Sequence, residues 1–369
     1  MKVRLSKCSV GQEEANAVSN VLNAEHLGMG STVQDFELAI KNYLSTKMEV
    51  VCVNTATSAL QLALSALDIG PDDEVLVPSI TYIGGFQAIS ATGATPIPCE
   101  IDPDTLFIDV DDAAKKITRN TKAIMPVHYA SASKGMEKIY ELAKNYNLRV
   151  IEDAAQAFGS KRNNEMIGTE GDIICFSFDG IKNITSGEGG AILTNDKKVY
   201  QRLSDDRLLG VKKDSDKRYA GKRSWDFDVE NQGYRFHMSN INAAIGIEQL
   251  KKLDEFRIKR QQVCKYYIER LSQIQAIKIL KLDYDEIVPH IFVTKVTDRN
   301  NLRDFLTQNE IECGIHYKPN HLLTKYKTDI KLRITEEVYE QLITFPCHVD
   351  LTKAEQDHVI DKILEFYNG

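Results

Sequence analysis

No stretch of this sequence approaches the ~18 consecutive apolar residues of a membrane-spanning helix, so no span and no membrane partner are expected. The N-terminal MKVRLSKCSVGQEEANAV lacks the apolar stretch of a secretory signal peptide, and a cytoplasmic location is expected. Cysteine is sparse: the seven residues Cys8, Cys52, Cys99, Cys175, Cys264, Cys313 and Cys347 are odd in number and scattered, with no C-x-x-C pair. That excludes a disulfide framework as the main source of stability and reads as reduced thiols, several of them core fillers. Positive charge is not in excess. Lysine and arginine total 46 against 53 aspartate and glutamate, a net charge of −7, and no basic block stands out. Nucleic acid and anionic lipid are therefore not the expected partners. There is no internal repeat and no low-complexity segment.

What is present is alternation. At 369 residues, 43% of them hydrophobic and 27% charged, the chain exceeds one ordinary globular core, and two domains are expected. The apolar runs EVVCVN (49–54), DEVLVP (73–78), AIMPVH (123–128), RVIED (149–153), DIICFSF (172–178) and GAILTN (190–195) read as buried strands. Helical spacing appears between several of them. Phe36, Ala39, Ile40 and Tyr43 share one face, Leu60, Ala63, Leu64 and Leu67 another with Gly70 as the stop, and 134–147 is a third helix. This is an α/β layout with a mainly parallel sheet of about seven strands. Residues 239–274 read as one long helical region, followed by short strands and helices. The expected division is a large domain over 1–245 and a smaller α+β domain over 246–369, with the N-terminal segment packing on the smaller one.

Open α/β sheets bind ligands at the C-terminal ends of parallel strands, and three such ends carry informative residues. At NTATSAL (54–60) a strand ends at Asn54, and Thr57 and Ser58 open a helix whose free N–H groups suit a phosphate. At VIEDAAQAFG (150–159), Asp153 stands where strand gives way to helix. In FSFDGIKNITSGEGG (176–190), Lys182 lies at the end of a buried-looking strand before a glycine-rich turn. Each has an ordinary explanation alone: a helix cap, a capping carboxylate, a solvated loop lysine. Together they suit pyridoxal 5′-phosphate (PLP), which needs a phosphate cradle, an amine for a Schiff base and an acid opposite its pyridine nitrogen. A lysine in that role must be neutral part of the time, which desolvation allows. The glycine turn is expected to leave room beside it.

The chain resembles the sugar-nucleotide aminotransferases of the DegT/DnrJ/EryC1/StrS family over nearly its whole length. The family pattern FSF…K…GEGG matches residues 176–190 and implies Lys182 as the Schiff-base lysine. EDAAQ places the family's acid on Asp153 and its glutamine, near the cofactor's phenolic oxygen, on Gln156. The phosphate stretch falls on Ala56, Thr57 and Ser58, joined by Ser177. PSITY implies that Tyr82 stacks on the ring, and PVHYA carries His128. GIHYKPNH (314–321) and FPCHVDLT (345–352) resemble C-terminal family segments. The resemblance implies fold type I, aspartate-aminotransferase-like, and a homodimer with shared active sites. It implies PLP, cycling through its pyridoxamine form (PMP), with L-glutamate as amino donor and a nucleotide keto-sugar as acceptor. Gly30, His237, His316 and Tyr317 fall at candidate substrate positions.

Three residues depart from the pattern. Asp179 stands where many members carry histidine or glutamine. In GYRFHMS (233–239), Arg235 replaces the usual asparagine and His237 the usual arginine. Arg235 is expected to reach the phosphate of the partner subunit's PLP. The retained lysine favours transamination over dehydration, since members that dehydrate sugars carry histidine there. The closest resemblance is to enzymes making dTDP-4-amino-4,6-dideoxy-D-glucose (viosamine) from the 4-keto sugar, for O-antigen or a related glycan.

Rival readings are weaker. GMGSTV (28–33) lacks the preceding strand and third glycine of a dinucleotide fingerprint. Cys313, His316 and His321 are too loosely spaced for zinc, with no fourth ligand evident. A non-catalytic PLP-binding regulator does not need the lysine and acid retained here.

Overall fold

The strands are short and apolar because both faces of the sheet are covered. In the computed structural model, which describes residues 1–132 and 134–368, β1 (Glu49–Val53), β2 (Glu74–Pro78), β3 (Thr95–Cys99), β4 (Thr121–Ile124) and β5 (Arg149–Asp153) alternate with helices. A two-residue hairpin, β6 (Lys161–Arg162) and β7 (Glu165–Met166), precedes β8 (Ile173–Ser177) and β9 (Gly190–Thr194). The seven long strands form one sheet in the order β1-β9-β8-β5-β4-β2-β3. β9 alone runs antiparallel to its neighbours β1 and β8, and the other pairings are parallel.

β3 has no counterpart among the runs read from the sequence. Its TPIPC holds Pro96 and Pro98, which cannot donate to a ladder. It pairs only with β2, at the sheet's edge, where proline is tolerated.

Three core clusters pack against the sheet. One packs Phe36, Phe158, Phe176 and Phe178 together, the second is aliphatic, built on Leu62, Leu64, Val75 and Ile151, and the third packs Leu76, Ile124 and Val150 against Met136 and Ile139. The smaller C-terminal domain holds a three-stranded antiparallel sheet, β10 (Ile277–Ile279), β11 (Phe292–Val296) and β12 (Leu342–Phe345), ordered β10-β11-β12. The helix Asn240–Leu271 joins the domains, capped by Ser239, whose Oγ accepts the Asn242 N–H at 3.2 Å. Its Leu250, Leu253 and Phe256 pack in the first core, and its Val263, Tyr267 and Leu271 in that of the smaller domain. Residue 245 lies within this continuous helix. Val3 also packs in the smaller domain's core.

Polar ties fix the smaller domain over the C-terminal edge of the large sheet. The Glu100 carboxylate accepts from the N–H groups of Ile334 and Thr335 at 3.0 and 2.8 Å. Asn320 Nδ2 donates to the carbonyls of Ser79 and Thr81. His321 bonds Ser79 Oγ through Nδ1 at 2.7 Å and Glu336 through Nε2 at 3.2 Å. These ties hold residues 314–322 above the strand ends. Among the described residues no helix is long and apolar enough to cross a membrane.

Candidate active site

A cavity of about 510 Å³ opens where the ends of the parallel strands meet the 314–322 segment. One corner is built to hold an anion. Thr55 caps the helix Ala56–Ala66, its Oγ1 accepting the Ser58 N–H at 3.0 Å. The first N–H groups of a helix lack partners within it, and the helix dipole adds partial positive charge there. Ala56 and Thr57 present that end to the cavity, beside Ser177 from the end of β8. Ser58 turns away: its Oγ donates to Asn54 Oδ1 at 2.6 Å and lies 2.7 Å from Thr55 Oγ1, pinning the strand–helix corner.

Among the glycines after Lys182, Gly190 serves this corner. Gly190 pairs with both Val53 and Ser177. A Cβ on Gly190 would stand 2.6 Å from the Thr55 carbonyl oxygen and 2.9 Å from Ala56 N. Only glycine lets β9 start this close to the helix N-terminus, a different purpose from the expected clearance beside the lysine.

β5 ends on two adjacent carboxylates that point to opposite faces, as strand alternation requires. Glu152 is fully buried. It bonds His128 Nε2 at 2.7 Å and accepts from Tyr140 Oη at 2.5 Å, with Arg162 at 3.6 Å. Burial alone would raise its pKa, but these partners hold it below the ordinary range. Asp153 faces the cavity and is also buried. Among the described residues its carboxylate accepts one hydrogen bond, from the Ala155 N–H at 3.2 Å, which offsets little of that burial, so its pKa is pushed up. A buried carboxylate facing a cavity without a cation bonded to it suits a ligand that brings its own positive N–H.

Lys182 sits beyond the end of β8, in a turn closed by its N–H on the Asp179 carbonyl at 3.1 Å. The strand therefore does not itself hold the amine. The next residue does: buried Asn183 lies within hydrogen-bond distance, through Nδ2, of the carbonyls of Gln156, Phe158 and Val288 at 3.2, 3.0 and 3.2 Å. Burial pushes the Lys182 pKa down, against the upward pull of Asp153 and Asp179. Its Nζ lies 3.3 Å from His290 Nε2. We expect Asn183→Ala to destabilise the protein by about 2 kcal/mol, within the range for leaving buried polar groups unpaired. A urea midpoint unchanged from wild type would show that Asn183 is not the anchor.

Aromatic and amide groups shape the rest. Tyr82 stands 58% exposed at the mouth, its ring edge-on to Tyr317 with centroids 5.9 Å apart. Gln156 is oriented at both ends: Oε1 accepts the Ala130 N–H at 2.8 Å and Nε2 donates to Tyr317 Oη at 3.1 Å. Burial and the Asp153 carboxylate push the Tyr317 hydroxyl pKa up. His316 bonds Thr344 Oγ1 through Nδ1 at 2.8 Å, and burial with the nearby Lys182 lowers its pKa to about 4.

The cavity thus gathers Ala56, Thr57, Tyr82, Asp153, Gln156, Ser177, Lys182, His316 and Tyr317. It does not gather Gly30, Arg235 or His237 of the same chain. Gly30 lies in a groove with Arg223 and Asn240. Arg235 and His237 line a separate depression beside exposed Trp225 and Phe227, where burial and neighbouring arginines lower the His237 pKa to about 4. Thr55, Thr81, Glu188 and His290 join the cavity without having been singled out. Thr55 was legible as the hydroxyl nearest the strand end. His290, one histidine ahead of the apolar run IFVTKV, carries no such signal. Asp179 and Glu188 set two carboxylates in the cavity wall, where burial and Asp179 raise the Glu188 pKa.

Known proteins resemble this chain over nearly its whole length. The model of the DegT/DnrJ/EryC1/StrS aminotransferase family matches residues 9–364. The spore coat polysaccharide biosynthesis protein SpsC of Bacillus subtilis is 31% identical over 374 residues, covering 98% of this chain and 96% of SpsC. The crystal structure of the sugar aminotransferase CalS13 from Micromonospora echinospora superimposes with a TM-score of 0.91 at 29% identity, over 98% of this chain and 99% of that one. NtdA from Bacillus subtilis, solved with the cofactor PMP bound, gives a TM-score of 0.87 at 28% identity, over 97% and 82% of the two chains. With an α/β fold, a mostly parallel seven-stranded sheet and a family match that spans nearly all of its length, this chain belongs to the DegT/DnrJ/EryC1/StrS aminotransferase family.

Proposed function

We propose that this protein is a PLP-dependent sugar aminotransferase that acts on a nucleotide-linked keto-sugar. The observation that carries this reading is a buried amine, Lys182, and a buried carboxylate, Asp153, lining one cavity with an anion-binding helix N-terminus. The residues fit the cofactor. Thr55, Ala56, Thr57 and Ser177 suit its phosphate, Asp153 its ring N–H, and Tyr82 a face of its ring. The PMP bound in NtdA and the sugar aminotransferase activity in the name of CalS13 support the same assignment.

When bound, PLP supplies an electron sink for the carbanion left when a substrate carbon loses its proton. The Lys182 Nζ would be the base that takes that proton and the acid that gives it back, which requires a neutral amine at the start of each transfer. Burial of Nζ supplies the neutral form, and Asn183 fixes the turn that aims it. Asp153 would keep its negative charge once a cationic ring stood beside it, and would then hold that ring's proton in place. Gln156, fixed by Ala130, directs its amide N–H groups into the cavity beside Tyr317. The 314–322 segment and the ring of Tyr317 cover the site and limit water.

In the finer reading, the amino donor is L-glutamate and the acceptor is dTDP-4-keto-6-deoxy-D-glucose. The product is dTDP-4-amino-4,6-dideoxy-D-glucose for a surface polysaccharide such as O-antigen. The family resemblance of FSFDGIKNITSGEGG supports it, and the polysaccharide role in the name of SpsC supports a glycan product. Incubation with L-glutamate and a panel of keto-sugar nucleotides, with mass detection, tests it. The dTDP-4-keto sugar should be aminated fastest. Faster amination of a GDP-, UDP- or 3-keto sugar would replace the substrate, and no amination of any would overturn the activity.

The same reading places the active unit as a homodimer. Arg235 is exposed and lies outside its own chain's cavity, yet its neighbour Phe236 accepts the Asn54 N–H at 2.7 Å beside the anion corner. A guanidinium reaching the partner's bound phosphate would grip it with two charge-assisted hydrogen bonds. Arg235→Ala is then expected to lose PLP on dialysis about tenfold faster, the effect of ~1.4 kcal/mol. Mixing it with Lys182→Ala should regain part of the activity, because one site of each heterodimer is intact. Unchanged PLP retention would remove the contact with the phosphate.

A further inference from the structure

His290 belongs to no motif read from the sequence, yet among the described residues it is the polar group within hydrogen-bond distance of the Lys182 amine. Its Nε2 lies 3.3 Å from Nζ. The backbone around it is fixed: its N–H donates to Ser131 Oγ at 3.2 Å, and Arg260 Nη1 lies 3.2 Å from its carbonyl oxygen. The ring is buried, and among the described residues no group bonds its Nδ1. That orphaned atom decides where a neutral ring keeps its proton. A buried N–H without an acceptor is rarer and costlier than an under-satisfied acceptor. The proton therefore belongs on Nε2, where Lys182 can receive it. An amine that accepts a hydrogen bond must have a free lone pair, so it is not an ammonium.

We propose that His290 is a positioning residue that holds Lys182 as a free base by donating its Nε2–H to the lysine Nζ. The inference rests on the reading of Lys182 as the reactive amine. An ammonium at Lys182 would donate to Nε2 and drive the ring proton onto Nδ1, where it has no acceptor. The surrounding charges divide over this choice. Asp153 on β5 and Asp179 in the same turn favour the ammonium, while burial opposes it. Burial disfavours a charged imidazole at His290, and so does Arg260 on the long helix; the ring also faces Lys182 and His316 on the 314–322 segment. The ring thus remains a neutral donor, and its hydrogen bond adds to burial against the two carboxylates.

The test uses the apoprotein and needs no turnover. Trace acetic anhydride labels unprotonated amines, and the labelling of the Lys182 peptide is followed by mass spectrometry across the pH range. His290→Phe keeps a ring but removes the donor. Labelling of Lys182 at neutral pH is expected to fall about fivefold, the effect of one net hydrogen bond, with its profile moved to higher pH. His290→Gln retains an N–H donor and is expected to restore most of the labelling. A profile unchanged or moved to lower pH in His290→Phe would overturn the proposal, because a ring that accepts from an ammonium predicts that opposite sign. Should His290→Phe not fold, the imidazole ¹⁵N spectrum of the wild-type apoprotein decides. A proton on Nε2 supports the proposal and one on Nδ1 refutes it. Failure of Lys182 to capture PLP would instead overturn the assigned function and leave these labelling results standing.

Discussion

Lys182→Ala is expected to lower turnover by at least about 10⁴-fold while the protein stays folded. General acid–base catalysis by a positioned side chain contributes up to about 10⁴, and the same amine is also the cofactor's point of attachment. The turn does not depend on the side chain being removed. Its backbone is closed by the Asp179 carbonyl and anchored by Asn183 to three carbonyls. The variant should therefore keep its circular dichroism spectrum and urea midpoint while formation of 2-oxoglutarate from L-glutamate stops. A small amine added at high concentration should restore a fraction of the rate, since the cavity left by the side chain admits one. Near-normal turnover would show that the proton moves through another group, with His290 and His316 lining the same cavity.

Asp153→Asn is expected to cost about 10³-fold in turnover while PLP remains bound. The substitution keeps the size of the side chain and an oxygen for the Ala155 N–H, so the end of β5 should not move. What is lost is the negative charge. An amide cannot keep a ring nitrogen protonated, and the carbanion loses its electron sink. Removing one preorganised electrostatic partner costs about 10²–10³ in other enzymes, and each ~1.4 kcal/mol is tenfold in rate. Glu152 cannot substitute, because it points to the other face of the sheet and is held by His128 and Tyr140. An asparagine variant within a few-fold of wild type would reduce Asp153 to a cap on the turn after β5.

Much of this site was legible because strand ends and helix starts have local chemistry. A run of β-branched residues that stops at Asn54, and another that stops at Asp153, mark the C-terminal edge of a parallel sheet without any knowledge of strand order. What was not legible depends on contacts between distant segments. β3 hid behind Pro96 and Pro98, because only its place at the edge makes two prolines acceptable in a strand. Lys182 was read at the end of its strand, but nothing in the sequence showed that Asn183 anchors the turn to carbonyls on two other segments. The tight approach of Gly190 to Thr55 and Ala56, residues far earlier in the chain, could not be read from the glycine-rich turn alone. His290 comes to Lys182 from the second domain, and nothing in VPHIFVTKV records which neighbour it meets. His321, noted in the sequence only as a residue too loosely spaced for zinc, ties Ser79 to Glu336 across the two domains.

The central claim is that Lys182 is the amine that carries the cofactor. The protein would be loaded with PLP, reduced with sodium borohydride, digested and mapped by mass spectrometry, with a parallel sample given L-glutamate before reduction. The account predicts a phosphopyridoxyl group on Lys182 alone in the first sample and its loss in the second, where the amino donor has displaced the lysine. A label on any other lysine, or none on Lys182, would contradict it.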